Sequence, residues 1–88
     1  MWWVYIVECA DGTYYTGITT DVQRRLSEHN YSFRSAKYTR SRRPVSLVYS
    51  EEALNRSEAS KREYKIKKLS RQKKFKLIEG QNADNGNA

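Results

Sequence analysis

The apolar positions of this 88-residue chain fall into blocks with different periods. Residues 2–9, Trp-Trp-Val-Tyr-Ile-Val-Glu-Cys, are rich in β-branched and aromatic side chains and apolar on both alternating sets, the pattern of an inner strand. Ala10-Asp11-Gly12 reads as a turn and residues 14–19 as a returning strand. Two loop lengths fit that turn. A two-residue Asp11-Gly12 loop pairs Cys9 with Tyr14 and puts Tyr5 and Tyr15 on opposite faces of the hairpin. A three-residue loop with Gly12 in the left-handed conformation pairs Tyr5 with Gly17 and sets Tyr5, Val7, Tyr15 and Gly17 on one face.

Helical periods follow. A first helix starts at Thr20 or Asp21, where Thr20 and Gln23 have capping-box spacing, and runs as far as Asn30 with Val22 and Leu26 turned inward. Residues 32–43 are polar and basic, a loop with room for one helical turn, and Pro44 closes it. Residues 45–50 make a third strand. Asn55 and Glu58 cap a helix reaching Leu69, and Ser70 caps a last helix carrying Phe75 and Ile78. The order β-β-α-β-α-α predicts an α+β fold, a three-stranded antiparallel sheet packed with about three main helices. Residues 1–79 are expected to form one domain, and residues 80–88, which lack apolar periodicity, a flexible C-terminal tail.

Composition narrows the chemistry. Cys9 is the sole cysteine and His29 the sole histidine, which excludes an intramolecular disulfide, a cysteine-based zinc site and a multi-histidine metal centre. The first apolar run has no basic region ahead of it and is broken by Glu8, so it reads as neither signal peptide nor membrane span, and a cytoplasmic location is expected. The net charge is +7, and all 17 lysines and arginines lie between Arg24 and Lys76. An apolar, aromatic first third therefore carries a cationic remainder. That distribution suits a polyanion-facing surface, and by charge alone it equally suits a solvated surface that only aids solubility. Within it, Arg34, Lys37, Arg40, Arg42 and Arg43 surround Tyr38, a set that can neutralise phosphates while the aromatic ring stacks; the plain alternative is a mobile basic loop.

Trp3-Val4-Tyr5, Tyr15-Thr16-Gly17, the Arg25 and His29 of the first helix, and Glu63 in Lys-Arg-Glu-Tyr-Lys-Ile together resemble the GIY-YIG nuclease module. The resemblance spans roughly residues 2 to 78 and is greatest to the small standalone single-domain bacterial members, which also carry an Ala-Lys-Tyr-Thr-Arg segment like that at residues 36–40. Trp3, Val4 and Thr16 depart from the family's framework residues, and its late asparagine has no clear counterpart among Asn82, Asn85 and Asn87.

The resemblance implies a metal-dependent endonuclease cutting DNA phosphodiester bonds with little sequence specificity of its own. Tyr5 would take a proton from the attacking water, directly or through His29, and Tyr15 would supply a positioning hydrogen bond. Arg25 would hold the scissile phosphate through two hydrogen bonds. Glu63 would hold one Mg²⁺ or Mn²⁺ with water and substrate phosphate completing the shell. It follows Ala59 by four positions and precedes Ile66 by three, on an inward stripe where a carboxylate is costly; the plain alternative is a surface ion pair with Lys67. Gly17 would leave room for a phosphate to approach the sheet. His29 is expected at the margin of the buried side. The favoured partner is DNA, with room for a protein partner that supplies specificity. A binding module without efficient catalysis and a basic protein-interaction domain are the competing functions.

Overall fold

The computed structural model describes the backbone of residues 1–86 and the side chains of residues 1–81. Strand β1 (Trp2–Glu8) is the centre of a three-stranded antiparallel sheet, between β2 (Tyr14–Thr19) and β3 (Ser46–Ala53). Helices α1 (Val22–Tyr31), α2 (Lys37–Arg40), α3 (Arg56–Lys67) and α4 (Arg71–Gly86) complete the α+β sandwich. No helix among the described residues is long and apolar enough to cross a membrane.

The hairpin takes the three-residue loop. The Cys9 amide donates to the Thr13 carbonyl at 2.8 Å and the Gly12 amide to the Cys9 carbonyl at 2.9 Å, with Gly12 at φ 82°. That φ is open to glycine at little steric cost. Tyr5 consequently pairs with Gly17 and Val7 with Tyr15, so Tyr5 and Tyr15 share a face.

Each face of the sheet then builds its own core. Val4, Ile6 and Tyr49 pack with Ala59 and Ile66 of α3 and Ile78 of α4. Tyr5, Val7, Cys9 and Val45 form the second cluster, with Tyr15, Leu26 and Leu47 against it. At about 1.5–3 kcal/mol for each fully buried aliphatic side chain, this is a thin core. Polar ties matter correspondingly more.

Capping follows local sequence. Asp21, not a Thr20 capping box, starts α1, its Oδ1 accepting from the Arg24 amide at 3.0 Å, because the Thr19 hydroxyl holds the Asp21 amide and sets its extended backbone. Asn55 accepts from the Glu58 amide at 2.9 Å and Ser70 from the Lys73 amide at 3.2 Å, as predicted. Strand β3 runs three residues beyond the predicted Ser50, because Glu51, Glu52 and Ala53 keep pairing with β1. Helix α4 carries the backbone past Gly80 to Gly86, whereas the sequence predicts a tail from residue 80. At its Gln81 turn the side chain binds the β3 edge, Nε2 donating to the Ser50 carbonyl at 2.8 Å. The side chains of residues 82–88, including the three tail asparagines, lie outside the described residues.

The basic loop is held by its own arginines. Arg43 donates from Nε to the His29 carbonyl at 2.6 Å and from Nη2 to the Ser32 carbonyl and Ser35 Oγ, closing the C-terminus of α1. Arg40 donates to the Phe33 carbonyl at 2.9 Å, and Arg42 to the Tyr38 carbonyl at 2.8 Å and to Asp11 at 3.0 Å. Asn30 clamps the far end of the loop, its Nδ2 donating to the Val45 carbonyl at 3.0 Å and its Oδ1 accepting from the Val45 amide at 2.7 Å.

Replacing Asn30 by alanine leaves both half-buried Val45 groups without these partners. Asn30→Ala is expected to lower unfolding stability by about 1–3 kcal/mol, read as a fall in urea midpoint at unchanged slope. An unchanged midpoint would show that water replaces the clamp without loss.

Candidate active site

The second core cluster converges on one hydroxyl. Tyr5, 2% exposed, projects from the central strand and its Oη lies 2.8 Å from His29 Nε2. The other ring nitrogen, Nδ1, lies 2.8 Å from Thr39 Oγ1. His29 is fully buried, the most enclosed side chain of α1, rather than standing at the margin of the buried side. Its hydrogen-bonding groups are satisfied on both edges, so the imidazole can sit in the core at little cost.

Gly17 makes the Tyr5 position possible in a different way from the one expected. A Cβ at residue 17 would stand 2.5 Å from Tyr5 Oη and 2.7 Å from its Cζ. The space above Gly17 is therefore filled by the phenol itself and is not a free path for a phosphate.

Tyr15 stands on the same face with its ring edge-on to His29, centroids 5.4 Å apart. Its other side stacks on Tyr38 at 5.9 Å, and the Arg42 guanidinium covers Tyr38 at 4.0 Å. Such offset and cation–π contacts contribute about 0.5–1.5 kcal/mol each and fix the Tyr15 ring.

Arg25 comes from α1, one turn before His29. Its Nη1 donates to Glu28 Oε1 at 3.0 Å and to the Arg34 carbonyl at 2.9 Å, which hold the guanidinium beside the Tyr5 phenol. Glu63 comes from α3 in the other layer, yet its charge is felt at Tyr5. The carboxylate is 23% exposed and pairs with Lys67 at 3.5 Å, the ion pair of the plain alternative; Lys67 is 51% exposed, so the pair is weak and easily opened. No group of three or more histidine, cysteine or acidic side chains gathers among the described residues.

Burial decides the protonation states. It pushes the Tyr5 phenol up to about 12, reinforced by Tyr15 and Glu63 and opposed by Arg25. It also pulls the His29 imidazole down to about 4, with the Arg25 and Arg43 charges acting in the same direction and Glu28 against them.

The structure thus brings Tyr5, Tyr15, Arg25, His29 and Gly17 into one layer, while Glu63 stands on α3 in the other, paired with Lys67 and bearing on the Tyr5 phenol only as the smallest of its charge influences. It disperses the basic loop. Arg34, Lys37 and Arg40 are exposed and Arg42 and Arg43 half-buried; of these Arg40, Arg42 and Arg43 donate to carbonyls, and Arg42 also to Asp11, so these three serve first as struts. Sequence reading assigned no part to Thr39, Asn30 or Glu28. The signal for Thr39 was a hydroxyl three residues after Ala36, the spacing at which threonine bonds back to the backbone.

A family model of the GIY-YIG catalytic domain matches residues 1–76. The UPF0213 protein of Desulfotalea psychrophila is 65% identical over 77 residues, covering 88% of this chain and 70% of that protein. The UPF0213 protein of Halobacterium salinarum is 60% identical over 75 residues, covering 85% and 96%. Among solved structures, the solution NMR structure of a UPF0213 protein from Bacillus halodurans superposes with TM-score 0.57 at 49% identity, covering 90% of this chain and 84% of that one. A solution NMR structure from E. faecalis gives TM-score 0.62 at 42% identity, covering 92% and 85%.

Two outcomes test the geometry. Gly17→Ala is expected to displace the Tyr5 phenol and cost about 1–3 kcal/mol, measured by thermal unfolding; a neutral result would mean that the ring does not lie over residue 17. His29 is expected to titrate near 4 by histidine NMR. The unfolded chain binds that proton near 6.5, so this group's contribution is constant above 6.5, falls as pH drops from 6.5 to 4, and is flat below. A His29 that titrates at its ordinary value is not enclosed as described.

Proposed function

This chain belongs to the GIY-YIG catalytic domain family, and from that membership and the geometry above we propose that it is a metal-dependent endonuclease that hydrolyses DNA phosphodiester bonds with little intrinsic sequence specificity. The observation that carries the proposal is the Tyr5–His29 pair, a buried phenol 2.8 Å from an imidazole nitrogen with the Arg25 guanidinium beside it.

Hydrolysis needs an acceptor for the proton of the attacking water and positive charge on the phosphate oxygens. Tyr5 is the group that meets the water, and His29 takes the phenol's own proton onward. Arg25, braced by Glu28 and the Arg34 carbonyl, presents its guanidinium to the phosphate without having to be ordered on binding. Tyr15, clamped between His29 and Tyr38, holds the phenol side of the site in place. Arg34 and Lys37 meet neighbouring phosphates along the exposed loop.

Glu63 fits a single hard ion. It is one partly exposed carboxylate, and it belongs to no group of three or more histidine, cysteine or acidic side chains among the described residues. That donor set suits Mg²⁺ or Mn²⁺, which complete their shells with water and phosphate, and does not suit zinc. Such an ion, when bound, supplies Lewis-acid activation of water and neutralises phosphate charge.

Phosphate contacts dominate the expected binding. The logarithm of affinity should fall with the logarithm of salt at a slope of about −0.9 per phosphate neutralised. A flat response would leave the basic surface without a nucleic-acid role. Plasmid nicking should appear with Mg²⁺ or Mn²⁺, stop on chelation, and fall by roughly 10²-fold or more in Arg25→Ala and Glu63→Ala. Nicking that persists in both variants overturns the site. Salt-dependent binding without nicking by the wild type leaves a binding module in place of an enzyme.

A further inference from the structure

The reaction proposed above gives no role to Thr39, yet this threonine is fully buried on the single-turn helix α2, with its hydroxyl 2.8 Å from His29 Nδ1. A hydroxyl has one proton. Thr39 Oγ1 donates it to the Ala36 carbonyl at 3.1 Å, the back-bond that threonine makes in a helical turn. With the hydroxyl proton on that carbonyl, which also takes the Thr39 and Arg40 amides at 3.1 Å, the contact to His29 runs the other way, Nδ1–H donating to Oγ1.

The far edge of the ring gives the same answer independently. Neutral imidazole carries one N–H, so a protonated Nδ1 leaves Nε2 with a lone pair. Tyr5 Oη sits at 2.8 Å from Nε2, and the cation beside the phenol, Arg25, can only donate. The phenol proton therefore has His29 Nε2 as its acceptor. With the opposite tautomer, Nε2–H and the guanidinium would both point donors at the Tyr5 oxygen, and the buried phenol proton would lose its partner.

We propose that Thr39 is a positioning residue that holds His29 in the Nδ1–H tautomer, so that the Nε2 lone pair faces the Tyr5 hydroxyl and can receive its proton. The chain runs Tyr5 O–H to Nε2, and Nδ1–H to Thr39 Oγ1, with the threonine hydroxyl anchored on the Ala36 carbonyl. If Tyr5 accepts the proton of water, its own proton passes to Nε2 and makes an imidazolium. Thr39 already accepts from Nδ1, so it stabilises that ion without rearranging. Thr39 touches neither water nor phosphate and acts only through His29. The same short helix presents Tyr38 to Tyr15, so both site tyrosines are set from one turn of α2.

The tautomer claim stands on hydrogen-bond counting alone; its consequence for cleavage rests on the function proposed above. Long-range proton–nitrogen NMR of the ¹⁵N-labelled full chain separates the two. At about pH 7.5 the ring is neutral, and the wild type is expected to show a protonated Nδ1 and an unprotonated Nε2. Thr39→Val keeps the shape but removes the acceptor, and should populate the Nε2–H form. Thr39→Ser restores the acceptor and should restore the wild-type pattern. With Mg²⁺ or Mn²⁺, nicking should drop roughly 10- to 100-fold in Thr39→Val, in the range seen when an outer hydrogen-bond partner is lost, and recover to within several-fold in Thr39→Ser.

A wild-type Nε2–H signal overturns the proposal whatever the variants do. So does a Thr39→Val chain that keeps Nδ1–H, or one that switches tautomer and still nicks at the wild-type rate. Should Thr39→Val fail to fold, the wild-type and Thr39→Ser spectra decide. The tautomer switch seen with no nicking by any form supports the positioning of His29 and sinks the nuclease reading instead.

Discussion

A hydroxyl buried in the middle of a three-stranded sheet needs a hydrogen-bond partner, and for Tyr5 that partner is His29 Nε2 at 2.8 Å. The need propagates outward. For the phenol to lie flat on the neighbouring strand, residue 17 must lack a Cβ. For residue 17 to stand opposite Tyr5, the hairpin must close with three residues and a left-handed Gly12. For the acceptor to reach the sheet, α1 must bury a polar ring at the one place where its apolar residues are sparse, since Leu26 and Val22 are only half covered. The imidazole is the packing residue of that helix as much as a chemical group.

Charge is distributed by the same logic. A chain at +7 would be expected to turn its arginines to solvent. Around the loop between α1 and β3, Arg40, Arg42 and Arg43 instead donate to carbonyls that have no secondary-structure partners. A guanidinium has five donors in a rigid fork and can serve several acceptors at once, which a lysine cannot do with the same geometry. These arginines make an irregular loop stiff enough to hold a one-turn helix, α2, whose four residues would not stay helical alone. On that turn stand Thr39 and Tyr38, which face His29 and Tyr15.

What was legible in the sequence, and what was not, follows from whether a signal is local. An inner strand apolar on both faces, Asn55 and Ser70 as caps, and the strand-turn-strand start are properties of a few consecutive residues, and the structure carries them. Among the carried-over site residues, the grouping of Tyr5, Tyr15 and Arg25 with His29 was visible because family spacing encodes it. The partner of each arginine was not, since Arg42 reaches Asp11 across 31 positions and Arg43 reaches back to the end of α1. A basic loop and a loop of arginine struts have the same composition. Gly17 shows a subtler limit: the sequence indicated a close approach, and only coordinates reveal that the approaching group is a tyrosine of the same sheet. The strand β3 extension rests on pairing with β1, and the helical turn at Gln81 meets the Ser50 edge across 31 positions, so neither is written in its own segment.

Burial also sets the condition on which the proposed chemistry depends. It raises Tyr5 to about 12 and lowers His29 to about 4, so in the free chain the shared proton stays on the phenol and the pair is at rest. Two charged side chains, Arg25 and Glu63, bear on that balance. Arg25 opposes burial and Glu63 weakly reinforces it; Glu63 itself is paired only loosely, with Lys67 at 3.5 Å. Neutralising Glu63 removes a repulsive charge and eases ionisation of Tyr5, but burial and the Arg25 guanidinium weigh more heavily on the phenol than this carboxylate does. Under the proposed reaction the carboxylate that binds the ion and the carboxylate that suppresses the phenolate are one group. Loading that carboxylate would relieve only the smallest of the influences that raise the phenol, so Arg25, whose hydrogen bond and charge both favour the phenolate, carries more of the balance.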